Sequence, residues 1–547
     1  MMHLLKNRTA WGLLLTCLIT FFAYNRLITP DIMESRNIIT AREMVYDGHW
    51  MVPTMNGDIR LEKPPLPTWL TAVAELIDAD NLALQRGMAG LAALLLVFYF
   101  YRFARRILGL QPAWVPTLVL CTCYNVILMG RTASWDIYCH AFMMAGIYHF
   151  ACGYRAEGSG RRSFLIAGLW TALSLLSKGP VSPYALLLPF LLALPALGGG
   201  RYKGKAGSIS LMVVVALVLG CSWYAYIHLA APEALEYVAR KESGSWIDHN
   251  VRPWWYYWQF FLEGGIWALL LLTATFYPLL DRSLLRRGEV VRFTWTWMLA
   301  SLVLLSLMPE KKTRYLLPLL IPASLLMGAL LIRWTQQMGE RLPRQAFRLN
   351  AGLLTGVVAL LPVAAWLFLY NKGTAGWPLC LLYTVVAEAV AYGLYRACRE
   401  LKPYRMVLCV TALFLFAECA VLPATKSLIN YTEGNSIATT RDRRDLDGIP
   451  FYYDAEEPLR IELVYAAGRK IRPVTLTATD SLLTLTPCVL LTHRPAAEAL
   501  PAALLERVET RDLGLYDDNR RPKGNRRYSD TFIYHLTLLT QKTTTTE

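Results

Sequence analysis

The sequence predicts a mostly α-helical, polytopic membrane protein that ends in a small soluble domain, and three observations carry that expectation. The chain has 547 residues, of which 55% are apolar and only 17% charged, well below the roughly 25% charge of an ordinary water-soluble domain. Apolar runs of about 20 residues, long enough to cross a bilayer, recur from Trp11 almost to Pro423. From Lys426 onward, charges, turns and short alternating stretches replace them, as in one modest soluble domain.

Length and flanking charge place about thirteen spans, at roughly 9–27, 84–101, 112–129, 137–153, 164–177, 181–197, 208–229, 264–280, 293–308, 315–332, 350–370, 378–395 and 406–423. The first has Lys6 and Arg8 before it but no small-residue cleavage site after it, so it reads as an uncleaved helix. Lysine and arginine gather in every second loop: Arg102, Arg105 and Arg106; Arg155, Arg161 and Arg162; Arg201, Lys203 and Lys205; Arg282, Arg286, Arg287 and Arg292; Arg333, Arg341, Arg344 and Arg348; Arg396, Arg399, Lys402 and Arg405. Such loops face the cytoplasm. The amino terminus is therefore expected inside a bacterial inner membrane, and the soluble domain in the periplasm. The expected division is 1–423 as the membrane domain, including a long outer loop at 28–83, and 424–547 as the soluble domain.

The net charge of +15 does not indicate nucleic acid, because much of the excess sits in short loops between apolar segments and reports topology. Ten of the eleven cysteines fall in or beside the spans, leaving Cys488 alone in the tail. That pattern excludes a disulfide framework and a zinc spacing.

Several cations break the sorting rule. Lys63, Arg131, Lys178, Lys311, Lys312 and Arg314 fall on the outer side beside membrane segments, where an ionisable group is costly and is a functional candidate. An anionic ligand is the expected reason. Loop 28–83 carries Asp31 and Glu34 ahead of Ala41-Arg42-Glu43-Met44, a pattern suited to a helix along the membrane surface. Glu62-Lys63 is followed by Pro64 and Pro65, which stiffen the chain. Asp136 heads a span after Arg131-Thr132-Ala133-Ser134-Trp135. Blander readings exist for each: solvation of an interfacial helix, a surface ion pair, and a helix cap that favours the positive end of the dipole. The aromatic run Trp254 to Trp258 reads as an interfacial belt or as the wall of a sugar or lipid groove.

Taken in order, Arg36, Ala41-Arg42-Glu43-Met44, Asn56-Gly57, Leu61-Glu62-Lys63-Pro64-Pro65-Leu66, Arg131-x-x-x-x-Asp136, Ser177-Lys178-Gly179-Pro180 and Arg314-Tyr315-Leu316-Leu317-Pro318 resemble the bacterial aminoarabinose transferases. These stand with the protein O-mannosyltransferases among the GT-C glycosyltransferases. The resemblance covers about residues 9–423 and, weakly, the tail. It implies a GT-C fold and transfer of a sugar from a polyprenyl-phosphate carrier to lipid A or another envelope glycolipid, by a monomeric enzyme. It also implies an acid in the first outer loop, a second acid at Asp136, a Glu-Lys pair at Glu62 and Lys63, and a basic-tyrosine segment at Arg314 and Tyr315 near the lipid phosphate. The family's first-loop pattern is Asp-Glu-x-Arg-Tyr. Aligning Arg36 puts Met33, Glu34 and Asn37 at its Asp, Glu and Tyr, so Glu34 and Asp31 are both candidates for the first acid.

The chemistry fits the residue types. Departure of a lipid phosphate builds negative charge that fixed cations stabilise more in the transition state than in the ground state, a task for Lys63, Arg36, Arg314, Lys178 or Lys311 with Tyr315. A hydroxyl acceptor needs a general base, for which Asp136, Glu34 and Asp31 qualify, whereas an ionised phosphate acceptor needs none. A divalent ion on Glu62 and His249 is the metal reading; the alternative leaves His249 as a polar loop residue. In the tail, Pro450 to Tyr453, Leu459 to Tyr465, Val474 to Leu476, Cys488 to Thr492 and Tyr528 to Leu538 are short apolar runs that suggest an α/β or α+β domain with a sheet. Its position suits covering the membrane site or meeting the acceptor. Three rival functions are a protein O-glycosyltransferase of the same fold, a flippase for a lipid-linked sugar, and a structural subunit presenting the tail. Clustering of the singled-out charges at one boundary favours the enzyme over the transporter.

Overall fold

A computed structural model describes residues 8–198, 200, 202–248, 250–429 and 435–542. The chain forms two compact units: one of Met1–Asn25, Leu61–Leu70 and Leu82–Thr425, the other of Arg26–Arg60, Thr71–Asn81 and Lys426–Glu547.

The first unit is helical. Every one of the expected spans overlaps helix, although the first is helical only to Phe22, and Trp114–Cys121 with Tyr124–Gly130 and Ala206–Gly220 with Ser222–Ala230 break two others. Among the described residues, seven helices are long and apolar enough to cross a membrane, and an eighth if the pair Trp254–Glu263 and Gly265–Leu280, bent by 104°, is one span. Helices Arg8–Phe22 and Pro183–Ala196 are apolar but shorter. The helix Thr313–Gln336 lies at the centre of its unit, with 94% of its apolar window buried, against 22% for Arg341–Tyr370. Its side chains are apolar all round, and a helix of that kind belongs inside. Gly328 lets it approach helix Trp114–Cys121: a Cβ there would stand 2.4 Å from Pro116 Cβ, and small residues permit such close helix contacts.

Helices Trp135–Arg155 and Arg161–Lys178 form an antiparallel hairpin through loop 156–160. Gly160, at φ +59°, ends that loop so close to Gly153 that a Cβ would meet its carbonyl oxygen at 2.7 Å, a position that glycine alone fills without strain. Lys205 closes the carboxyl end of the first of these helices by donating to the Gly153, Tyr154 and Ala156 carbonyls at 2.9, 2.6 and 2.8 Å, satisfying groups that a helix terminus leaves unpaired.

The second unit holds a five-stranded mixed sheet. With β1 Thr54–Met55, β2 Asp58–Ile59, β3 Phe451–Asp454, β4 Ile471–Val474, β5 Cys488–Thr492, β6 Val508–Asp517 and β7 Ile533–Gln541, the sheet order is β4-β3-β5-β7-β6. Strand β3 runs parallel to β4 and β5, whereas β7 is antiparallel to β5 and β6. The parallel pairs need crossovers, and helices Ile461–Ala467 and Thr479–Thr484 provide them. The run Leu459 to Tyr465 is thus mostly helix, while the other apolar runs of the tail contribute strands.

The sequence reading keeps loop 28–83 with the membrane domain, but residues 26–60 and 71–81 fold with the tail. Helix Ile32–Tyr46, expected along a membrane surface, has ten buried residues, and its Ile39 joins a core with Ile437, Leu446, Phe451 and Leu463. Its weak segregation of polar and apolar faces leaves apolar residues free to pack against the crossover helix Ile461–Ala467. Asn56 fixes the β1–β2 turn to the sheet edge, donating to the Ile471 carbonyl at 2.6 Å and accepting from its N–H at 2.8 Å. All described cysteines are free thiols.

Candidate active site

The hairpin Trp135–Arg155/Arg161–Lys178 brings the first turn of one helix beside the last residue of the other. Asp136 and Lys178 form an ion pair there, the ammonium donating to Oδ1. Their side chains are 2% and 6% exposed. Ser174 Oγ, which donates to the Cys139 carbonyl at 2.7 Å, ties the same two helices one turn deeper. Removing either partner would strand a charge in a medium that does not solvate it.

The amino end of the central helix completes the cluster. The Lys178 ammonium lies 5.0 Å from the centre of the Tyr315 ring, and Lys312 stands 5.8 Å from it, within the range at which an aromatic face attracts a cation. Tyr315 donates to Glu310 at 3.1 Å, and Glu310 pairs with Lys312. Arg314 lies within electrostatic reach of Asp136, and its side chain makes no hydrogen bond or ion pair among the described residues. Three cations thus face two carboxylates, and the unneutralised charge belongs to Arg314. His140, one helical turn after Asp136, is buried and bonded to Ser182 Oγ at 2.9 Å.

Other expected site residues have different surroundings. Lys63 faces Glu242 at 2.9 Å, and its neighbour Glu62 faces Lys241 at 3.4 Å. Lys311 is buried and donates to the Arg252 and Met308 carbonyls; burial lowers its pKa from the usual lysine value. Its segment pairs with Val251 through an antiparallel bridge at Glu310. Arg131 donates to the Thr20 and Ala23 carbonyls and pairs with Glu418 at 3.2 Å, so it ties the first helix of the unit in place.

The second unit carries Asp31, Glu34 and Arg36. Asp31 caps helix Ile32–Tyr46, its carboxylate accepting from the Met33 and Glu34 N–H groups at 2.8 Å each. Asp31, read from the sequence as a catalytic candidate or as solvation of an interfacial helix, is a helix cap in this fold. Glu34 is 3% exposed. Arg36 is half-buried, and its Nε has no hydrogen-bond partner among the described residues. Arg520, from the loop between β6 and β7, donates to the Pro30 carbonyl at 2.6 Å and lies within electrostatic reach of Asp31 and Glu34.

Sequence reasoning missed Glu242, Glu310, His140 and Arg520. The signals were there for three of them: Lys241-Glu242 mirrors Glu62-Lys63, Glu310 opens the Lys311-Lys312-Thr313-Arg314 run, and His140 follows Asp136 at the i, i+4 spacing of one helix face. For Arg520 no local pattern pointed to Pro30. His249 lies outside the described residues, so the metal reading rests on no described ligand pair. Among the described residues, Glu43, Asp47 and His49 are grouped closely enough to hold an ion. They are otherwise engaged: Glu43 accepts from Thr54 and Gly57, His49 bonds Thr54, and Asp47 pairs with Lys470 at 2.7 Å.

Residues 62–224 match the family model described as dolichyl-phosphate-mannose-protein mannosyltransferase. The chain is 28% identical over 413 residues to undecaprenyl phosphate-alpha-4-amino-4-deoxy-L-arabinose arabinosyl transferase 1 of Pseudomonas fluorescens (strain Pf0-1), covering 72% of this chain and 69% of that one. It is 27% identical over 315 residues to the corresponding transferase of Shewanella sediminis, spanning 55% of each. Among solved structures, ArnT from Cupriavidus metallidurans bound to undecaprenyl phosphate superposes with a TM-score of 0.71 at 17% identity, over 97% of this chain and 98% of the other. That likeness establishes the fold. Fold and relatives together give this chain the polytopic membrane fold seen in ArnT and a sequence similar to the bacterial aminoarabinosyl transferases.

Proposed function

We propose that the protein transfers a sugar, with inversion, from a polyprenyl-phosphate carrier to lipid A or another envelope glycolipid at the outer face of the bacterial inner membrane. The observation that carries this reading is Arg314, a guanidinium without an ion-pair partner among the described residues, beside the buried Asp136–Lys178 pair. An entering phosphate gains a charge-assisted contact from Arg314 without displacing an existing partner. Lys178 adds a second cation, Tyr315 orients it through the ring face, and both cations oppose the charge that grows on the phosphate as the sugar departs. Asp136 holds Lys178 in position. Lys63 and Arg36 are assigned to the donor phosphate on the resemblance and Lys311 on its place among the outer cations, while Glu62 with His249 is the candidate ligand pair for a divalent ion.

A hydroxyl acceptor requires a base. Glu34 suits that task better than Asp31, whose carboxylate is occupied by the helix cap. The unit of Met1–Asn25, Leu61–Leu70 and Leu82–Thr425 is the catalytic membrane domain, and the unit of Arg26–Arg60, Thr71–Asn81 and Lys426–Glu547 is the periplasmic domain that meets the acceptor. The amino terminus is cytoplasmic. These assignments follow the distribution of lysine and arginine among the loops.

The test is transfer of label from a radiolabelled polyprenyl-phosphate sugar to membrane glycolipid by the purified protein in detergent, compared with Asp136→Ala and Arg314→Ala. A labelled glycolipid made by the parent and lost in both variants is the expected result; equal product from all three would remove the site assignment. The match to the mannosyltransferase model favours a second reading, a protein acceptor, which the same assay separates when protein and glycolipid are supplied in turn. Label that crosses a vesicle membrane with no new glycosidic product would indicate a transporter.

A further inference from the structure

Between β6 and β7 the stretch Asn519-Arg520-Arg521-Pro522-Lys523-Gly524-Asn525-Arg526-Arg527-Tyr528 carries five cations and no acid, with Asp518 just before it and Asp530 two residues after it. Lys523, Arg526 and Arg527 are exposed and Arg521 is half-buried. None of these four has a carboxylate partner among the described residues. Elsewhere in the unit cations are commonly paired: Arg42 and Arg441 with Asp80, Lys470 with Asp47, Arg443 and Arg511 with Asp445, Arg460 with Glu462, and Arg507 with Asp480.

The base of the loop is fixed. Asn519 bonds Asp517 and the Ser529 carbonyl at 2.8 and 3.0 Å, Ser529 N–H returns to Asn519 at 2.9 Å, and Tyr528 donates to Asp517 at 2.9 Å. The neighbouring Asp518 accepts from Ser436 and Tyr534. Those bonds engage Asp517 and Asp518, and the exposed Asp530 forms no ion pair with the loop's cations among the described residues. Arg520 anchors the loop to Pro30, beside the first-loop acids Asp31 and Glu34.

We propose that Arg521, Lys523, Arg526 and Arg527 form a phosphate-binding loop for the headgroup of the glycolipid acceptor, presenting it beside Glu34. The inference rests on the reading of the protein as a glycolipid glycosyltransferase. Four unpaired cations suit a headgroup with more than one phosphate, since guanidinium binds phosphate through paired hydrogen bonds and lysine adds a point charge.

The full-length protein in nonionic detergent, with and without Lys523→Gln/Arg526→Gln/Arg527→Gln, should be titrated with bisphosphorylated lipid A, its dephosphorylated form and phosphatidylglycerol, and read by native mass spectrometry. The variant is expected to bind bisphosphorylated lipid A about ten- to a hundredfold more weakly at low salt and the dephosphorylated form equally. The acceptor KM should rise while kcat and the donor KM stay unchanged, and Arg526→Lys/Arg527→Lys should retain most of the affinity. Equal binding of bisphosphorylated lipid A by parent and variant would overturn the proposal, as would an equal loss for phosphatidylglycerol, which marks a general anionic-lipid surface. The binding arms need no turnover, so absence of sugar transfer by the parent would remove the proposed reaction and leave this loop to be judged by binding.

Discussion

The ammonium of Lys63 lies 2.9 Å from the carboxylate of Glu242, and the preceding residue, Glu62, faces the preceding residue there, Lys241, at 3.4 Å. Two adjacent opposite charges thus meet their mirror image on helix Pro232–Asp248. Lys63→Glu should place like charges together and cost about 1 kcal/mol or less, because both side chains are partly exposed. The exchange Lys63→Glu/Glu242→Lys should restore the melting temperature in detergent. If Lys63 also serves the donor phosphate, the exchanged protein will keep its stability and show a raised donor KM; an unchanged donor KM confines Lys63 to the clasp.

Asp136 and Lys178 are buried together, so losing one is worse than losing both. Lys178→Met alone should destabilise by about 3–5 kcal/mol, and Asp136→Leu/Lys178→Met by much less, because replacing a whole buried pair with apolar groups is often neutral. Thermal unfolding measures the first effect, and sugar transfer separates stability from function. The double variant is expected to be folded and inactive; a folded, active one would reduce the pair to a structural tie.

Arg314 makes no ion pair among the described residues, so Arg314→Gln should leave the melting temperature within about 1 °C while raising the donor KM at least tenfold. A tenfold change corresponds to about 1.4 kcal/mol, within the range for a charge-assisted hydrogen bond. A large fall in melting temperature at unchanged donor KM would show that the guanidinium packs rather than binds.

Asn56 satisfies both backbone groups of Ile471. Asn56→Ala should leave a buried N–H and a buried carbonyl unpaired at about 1–3 kcal/mol each, and hydrogen exchange across Ile471–Val474 should accelerate accordingly. Protection equal to the parent would mean that the turn at Asn56 is held by other contacts.

The proposed orientation has its own test. A cysteine introduced by Lys523→Cys should react with a membrane-impermeant thiol reagent in intact spheroplasts, whereas one introduced by Arg161→Cys should react only after permeabilisation. Both positions are exposed, so the opposite pattern would invert the topology rather than report burial.

Much of the site was legible because it violates a rule that the rest of the chain obeys. Asp136, Lys178, Arg314 and Tyr315 stand at the ends of apolar segments, on the side that the loop charges predict to be poor in cations, and the fold brings these four together. Lys63 was legible as an outlier but not as a partner of Glu242, since 179 positions separate them and no local period relates a loop to a distant helix. Asp31 illustrates the reverse case. A carboxylate just before a helix always fits a cap, and here it serves as one.

The sequence by itself determined that the chain is mostly helical and polytopic, because apolar length is a local quantity that lipid and water read directly. It also determined that a soluble sheet domain follows. Only the tertiary structure decided that residues 26–60 and 71–81 build one unit with the tail, through bonds such as Asn56 to Ile471 that span 415 positions. The physical reason is that an apolar helix face or an edge strand specifies that it must be covered, not by what, and the covering partner emerges only when distant segments pack.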